Sequence, residues 1–414
     1  MTNTPLLNIN GERLWQSLMD MAQIGATKKG GCNRQALTDL DKQGRDLFIT
    51  WCEDAGMTIR IDEMGNIFAR RAGTQPQATP VITGSHLDTQ PTGGKFDGVY
   101  GVLAGLEVVR TLNDNKITTQ HPLEIVVWTN EEGARFSPAM IGSGIWSGEF
   151  DLDYGWNRKD KDGCTIKQAL TAINMLGETP CLHFPIKAAY ELHIEQGPIL
   201  EQQQLPIGVV EGVQGIRWYD LIIKGSPVHA GPTPMKGRQD PIKGLADITS
   251  ALYKMVDKYT EWSRVTFGNV LVTPASRNTV PEQVTLWVDL RHPENENLTL
   301  MDAEFRAIAK SVCEQHNLEF EIKDEWHSPA VQFNQDCVDS IEASVQQLGY
   351  PYKKMFSGAG HDSVYVSKVA PTAMIFIPCE GGISHNEAEN VKQEDITSGC
   401  NVLLGAMTKS AGVA

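Results

Sequence analysis

A repeated strand–helix–strand rhythm over the first two hundred residues is the feature that most restricts how this chain can fold. Met57–Asp62 and Asn66–Arg70 read as short strands around the turn residues Glu63, Met64 and Gly65. Val81–Gly84 is a short apolar run ending in glycine, and Val99–Leu112 has the apolar spacing of a helix. Leu123–Thr129 is an apolar run of the sort buried on both faces of a parallel sheet, and Ala189–Ile194 is another. This order implies an α/β domain whose functional groups lie at the carboxyl ends of its strands.

The pattern changes after Glu211. Ile216–Lys224 alternates as a strand, Pro241–Lys258 is an amphipathic helix, and Val265–Thr273 and Gln283–Arg291 are further strands. Leu298–His316 reads as a second helix and Leu318–Trp326 as a last strand. Strand, helix, two strands, helix, strand is the order of a compact α+β, ferredoxin-like unit. From about Ser328 the α/β character returns, with Thr372–Pro378 as a buried strand and Glu394–Met407 as a closing helix. A chain of 414 residues exceeds one ordinary core. The expectation is therefore one domain made of residues 1–212 and 328–414, with a second, 213–327, inserted into it.

A net charge of −15 argues against nucleic acid or an anionic membrane as partner, since both select clustered Lys and Arg. No apolar stretch approaches bilayer length, and the N-terminus lacks the basic start and apolar run of a signal peptide. The eight cysteines are scattered with no CxxC pair, which suits reduced thiols. The expected compartment is the cytoplasm.

Chemistry-bearing residues gather after the predicted strands. His86 in Gly84-Ser85-His86-Leu87-Asp88-Thr89 is a candidate metal ligand, and Asp88 could hold its other ring N–H and fix the tautomer. Asp97 lies in the Gly-rich Gly94-Lys95-Phe96-Asp97-Gly98 at a helix start. Glu131 and Glu132 follow Leu123–Thr129 directly; His193 and His385 lie in ELHIEQG and GISHN. Neutral imidazoles and carboxylates suit borderline divalent ions such as Zn²⁺, Mn²⁺, Co²⁺ or Ni²⁺. Two such ions about 3.5–4 Å apart can share a carboxylate and a water. Of the consecutive glutamates, one can ligate metal while the other moves the water's proton. Singly, each residue has a plainer explanation: a hydrogen-bonded histidine, a solvated Glu pair, a turn aspartate. Five together in an α/β order do not.

The segments HLDT, GKFDGVYG, TNEEGARF, ELHIEQG, HAGPTPM, RNTVPEQ, DLRHP, GAGHD and GISHN, in that order, resemble the N-carbamoyl-L-amino-acid hydrolases. These belong with β-ureidopropionases and allantoate amidohydrolases, relatives of the dinuclear metallo-aminopeptidases. The resemblance runs from about Gly25 to the C-terminal helix. It implies a metallo-aminopeptidase-like catalytic domain and an inserted lid and dimerisation domain. One metal would be held by His86, Asp97 and His193 and a second by Asp97, Glu132 and His385, with Glu131 as general base and then acid. Relatives of dipeptidase type commonly carry an acidic residue where His193 stands, so His193 favours the carbamoyl branch. His229 would reach the partner subunit's site and stabilise the oxyanion, a contribution of roughly 3–4 kcal/mol. Arg291 would grip the substrate carboxylate, while Asn278, Gln196, the backbone at Gly360 and Arg217 complete the pocket. Without the resemblance, Arg291 reads as a surface ion pair at a strand end. Glu282, where related enzymes often carry Gly, departs from the pattern in a turn that holds no ligand.

The expected reaction converts an N-carbamoyl amino acid, or N-carbamoyl-β-alanine, to amino acid, CO₂ and ammonia. The partners implied are a small carboxylate-bearing ureido substrate, two divalent ions per subunit and a second copy of the chain. The alternatives are an allantoate amidohydrolase, a dipeptidase or aminoacylase, and a non-catalytic metal-binding dimer.

Overall fold

A computed structural model describes residues 7–414. The first strands in chain order are β1 (Thr58–Ile61), β2 (Ile67–Arg71), β3 (Val81–His86), β4 (Leu123–Trp128), β5 (Ala188–Ile194) and β6 (Ile207–Val213). There follow β7 (Gly215–Lys224), β8 (Arg264–Thr273), β9 (Gln283–His292) and β10 (Glu319–Ser328). The last are β11 (Val331–Gln332), β12 (Tyr352–Ser357) and β13 (Thr372–Ile377). Two compact units form: the chain up to Glu211 together with Phe333–Ala414, and Gly212–Gln332. The second keeps the chain until Gln332 because Val331 and Gln332 pair with Val213 and Gly212.

The large unit is built on a mixed sheet of order β1-β2-β4-β3-β5-β13-β6, with β12 beside β6. Its centre is parallel: β3 runs with β4 and β5, and β5 with β13. These four strands therefore end at one edge, with His86 opposite Trp128 and His193 opposite Phe376. That edge is where an open α/β sheet offers a crevice. The helix Val99–Asp114 is buried around nearly its whole circumference, as its apolar sequence on all sides requires. It packs on β3 and β5, and the helix Gln393–Ala411 packs on β13 and β5.

β3 extends past its expected end at Gly84 so that His86 is its last residue, while β5 matches the expected Ala189–Ile194 to within one residue, with His193 last but one in it. The polar extension of β3 survives burial because Ser85 Oγ donates to Glu191 Oε1 of the neighbouring β5 at 2.7 Å. The helices Gly11–Gln23, Asp39–Asp54 and Gln335–Leu348, and the strands β6, β11 and β12, were not anticipated.

One buried ion pair stiffens this unit. Arg45 Nε lies 2.8 Å from Asp41 Oδ2, and neither side chain has any exposure. Arg45 also donates to the carbonyl of Gly65 at 2.7 Å, tying the helix Asp39–Asp54 to the turn before β2. Arg45→Ala leaves Asp41 as a buried charge without its cation. It should cost about 3–5 kcal/mol of unfolding free energy, read from urea or thermal unfolding.

The small unit has the antiparallel order β10-β7-β9-β8 with the helices Pro241–Val256 and Asn295–Gln315 on one face. This is the ferredoxin-like α+β unit expected. Tyr219, Leu221 and Ile223 of β7 and Leu286, Val288 and Leu290 of β9 alternate inward onto those helices. The opposite face leaves Trp218 and Trp287 half exposed.

Candidate metal centre

Five of the anticipated residues converge at the carboxyl edge of the parallel strands. His193 Nε2 lies 3.2 Å from Asp97 Oδ1, and His86 Nε2 lies 3.9 Å from the same oxygen. The other carboxylate oxygen of Asp97 faces the opposite way: His385 Nε2 is 3.3 Å from Oδ2 and 3.3 Å from Glu132 Oε2. Asp97 thus divides its two oxygens between two groups of nitrogen and oxygen donors.

Local structure explains how each side chain is aimed. Asp97 precedes the helix Val99–Asp114, whose positive N-terminal end favours a carboxylate. Between them Gly98 has φ of 68°, and a Cβ there would come within 2.3 Å of His86 Nε2. Only glycine leaves room for the imidazole. Asn130 (φ 56°) turns the chain after β4 so that Glu131 and Glu132 follow at its mouth, and His385 (φ 54°) is held in the same left-handed region. Backbone strain of this kind is concentrated at functional sites.

The donor set fits a cation. His86 Nδ1 is 2.8 Å from the carbonyl of Asp88, and His193 Nδ1 is 2.9 Å from the carbonyl of Ile194. A carbonyl only accepts, so both Nδ1 atoms carry hydrogen, and Nε2, the ring nitrogen facing Asp97, is the one that would meet a cation. Gly98 N–H donates to His193 Nε2 at 3.2 Å, in keeping with that tautomer. Carboxylates crowd the same space. Burial, with Asp97 beside it, pushes Glu132 up to about 8. Glu131 is driven well above the usual carboxylate range by burial and then by Asp362, Glu132, Asp97 and Asp88. Divalent ions would relieve both the repulsion and the cost of burial.

Glu131 is the carboxylate left over. It is buried, its Oε2 lies 3.5 Å from His86 Nε2, and it belongs to neither donor group.

Asp88 does not hold His86 by its carboxylate. Its backbone carbonyl does so, because the residue lies two positions beyond the histidine and its side chain turns away. The carboxylate instead accepts the backbone N–H of Glu131 and of Glu132, each at 3.3 Å, and so supports the pair of glutamates.

Gln196 Nε2 donates to Asp97 Oδ2 at 3.1 Å, while its Oε1 is buried with no hydrogen-bond partner among the described residues. Gly360 is exposed beside His361, which lies buried next to His193 with ring centroids 4.6 Å apart. In the small unit, Ala230 next to His229 donates its N–H to the carbonyl of Asn278, and His229 bridges to Thr279. His229 and Asn278 are exposed neighbours there. Arg291 Nη2 lies 2.8 Å from Asp289 Oδ2, the ion pair at a strand end that residue-level reasoning had favoured. Arg217 is engaged by Asp302 at 3.1 Å and Thr299 at 3.2 Å within the small unit.

Sequence reasoning passed over Ser384, Glu389, Glu191 and Asp362. Ser384 lay inside the quoted GISHN and Glu389 just beyond it, but nothing local marks them. Glu191 accepts from Ser85 and Ser363, and Asp362 accepts from Ser143.

A parallel-centred α/β sheet carrying a nitrogen and oxygen donor cluster with a spare glutamate fits a hydrolase that uses divalent metal. Residues 82–409 match the model of peptidase family M20/M25/M40. The chain is similar to an N-carbamoyl-L-amino-acid amidohydrolase of Rhizobium meliloti, at 44% identity over 98% of this chain and 97% of that one. It is similar also to an allantoate amidohydrolase of Bacillus subtilis, at 30% identity over 94% of this chain and 95% of the other. Among solved structures, an amidase of the hydantoinase/carbamoylase family from Burkholderia multivorans superposes with a TM-score of 0.96 at 49% identity, covering 98% and 99% of the two chains. The chain belongs to the M20/M25/M40 peptidase family.

Proposed function

We propose that this protein is a hydrolase of non-peptide C–N bonds that removes the carbamoyl group of an N-carbamoyl-L-amino acid, yielding amino acid, CO₂ and ammonia. The observation that carries the chemistry is Asp97 placed between two donor groups with Glu131 uncommitted beside them. Family membership and the N-carbamoyl-L-amino-acid amidohydrolase at 44% identity support the substrate class.

In this reading His86, Asp97 and His193 would hold one divalent ion, and Asp97, Glu132 and His385 a second. When bound, they supply Lewis acidity and a hydroxide nucleophile near neutral pH; Zn²⁺, Mn²⁺, Co²⁺ and Ni²⁺ all suit these donors. Asp88 holds the Glu131–Glu132 backbone at the mouth of β4. Glu131 takes the proton of the attacking water and delivers it to the leaving nitrogen, where burial favours a carboxyl able to hold it. By the resemblance, His229 would stabilise the developing oxyanion in the partner subunit's site, Arg291 would exchange Asp289 for the substrate carboxylate, and Asn278 would complete the pocket. Gln196 and the backbone at Gly360 line the pocket; Arg217 acts by holding Asp302 and the fold of the small unit. Residues 1–212 and 328–414 form the catalytic domain, and 213–327 form a lid through which a cytoplasmic homodimer assembles.

Metal-free protein reconstituted separately with Mn²⁺, Zn²⁺, Co²⁺ and Ni²⁺ should hydrolyse N-carbamoyl-L-amino acids in preference to allantoate, N-carbamoyl-β-alanine and dipeptides. Exclusive turnover of allantoate would move the assignment to that branch, which the relative at 30% identity represents. Metal binding without turnover of any of these compounds would leave a non-catalytic protein.

A further inference from the structure

Glu389 is a buried carboxylate, 1% exposed, that the proposed reaction does not use. Its Oε1 accepts the backbone N–H of Phe96 at 2.9 Å and of Asp97 at 3.2 Å. Its Oε2 lies 3.1 Å from Ser384 Oγ, and Ser384 Oγ in turn lies 3.1 Å from Asp97 Oδ2. The same carboxyl therefore grips the aspartate's backbone directly and reaches its side chain through one hydroxyl.

The loop that carries Glu389 also carries His385. This histidine is exposed, so the place of its ring follows from where its loop lies. Its distances of 3.3 Å to Asp97 and 3.3 Å to Glu132 depend on how its loop is fastened to the loop of Asp97. Glu389 fastens the two loops through backbone and side chain, and Gln196 Nε2, which donates to Asp97 Oδ2 at 3.1 Å and to Ser384 Oγ at 3.2 Å, is a second tie. The opposing backbone is shaped to receive Glu389: a Cβ on Gly94 would lie 2.0 Å from the Glu389 carboxyl carbon. Glycine at this place lets the carboxylate lie against the chain.

We propose that Glu389, through Ser384 and with Gly94 as its seat, is the positioning residue that sets the spacing of Asp97 and His385 and so builds the second cation site. This rests on the reading of Asp97 as the ligand shared by two ions. Glutamine keeps a carbonyl that accepts both amides, and its amide reverses the Ser384 contact, donating to Oγ and leaving the hydroxyl hydrogen for Asp97. Alanine makes none. Gly94→Ala leaves Glu389 in place but pushes its carboxylate off the loop.

Metal-free wild-type and variant proteins titrated calorimetrically with Mn²⁺ test this, with circular dichroism to confirm folding. Glu389→Ala and Gly94→Ala should weaken the second equivalent of Mn²⁺ by about 10–100-fold, the range for lost outer contacts. Glu389→Gln should restore it close to wild type. Wild-type affinity in both Glu389→Ala and Gly94→Ala, or a loss in Glu389→Gln equal to that in Glu389→Ala, overturns the proposal. If Glu389→Ala does not fold, Gly94→Ala decides alone. Wild-type protein that takes two Mn²⁺ yet turns over no ureido compound would remove the functional reading and leave this one standing. Wild-type protein that takes fewer than two would overturn it.

Discussion

Replacing Asp97 by alanine is expected to abolish hydrolysis, lowering kcat/KM by on the order of 10³-fold or more, and to leave the protein unable to retain two metal ions. Both donor groups pass through this one side chain, Oδ1 towards His86 and His193 and Oδ2 towards His385 and Glu132. Its loss removes an oxygen from each group at once and leaves the histidines and Glu132 too few to hold a pair. Charge stabilisation by bound cations is worth several kcal/mol, and each ~1.36 kcal/mol is a factor of ten in rate. Elemental analysis of the purified variant and steady-state kinetics on an N-carbamoyl amino acid check the two halves separately. A variant that keeps two ions, or keeps most of its activity, would show that Asp97 is not shared.

Glu131→Gln should separate proton transfer from metal binding. The substitution keeps size and shape, and Glu131 belongs to neither donor group, so metal content should stay at the wild-type level. Turnover should nevertheless fall by about 10²–10⁴-fold, the range for a lost general acid–base. An amide cannot accept the proton that a carboxylate accepts. Near-wild-type kcat with full metal content would reassign Glu131 to structure.

The contrast between these residues and Asp88 shows how far residue patterns reach. His86, Asp97, Glu132 and His193 were legible because each is a ligand type at or beside a strand or helix end, His385 lies in the loop after β13, and the parallel strands β3, β4, β5 and β13 finish at one edge. Asp88 was legible as a supporting residue, but not in its manner of support. Which of its atoms meets His86 depends on the turn after β3, and the carbonyl, not the carboxylate, faces the ring. Arg291 and Arg217 carry the same lesson, since their partners Asp289 and Asp302 are settled by strand register and helix packing.

By itself the order of residues determined the alternation of strands and helices, the inserted α+β unit and the donor chemistry, because periodicity and side-chain type are local properties. Tertiary structure alone decided that Asp97 splits its oxygens between two groups, that Gly98 makes room for His86, and that Glu389 binds the loop of His385 to that of Asp97. The physical reason is that a cation cage is a matter of a few tenths of an ångström between distant segments. Those distances come from buried hydrogen bonds and close backbone contacts that no stretch of chain can specify alone.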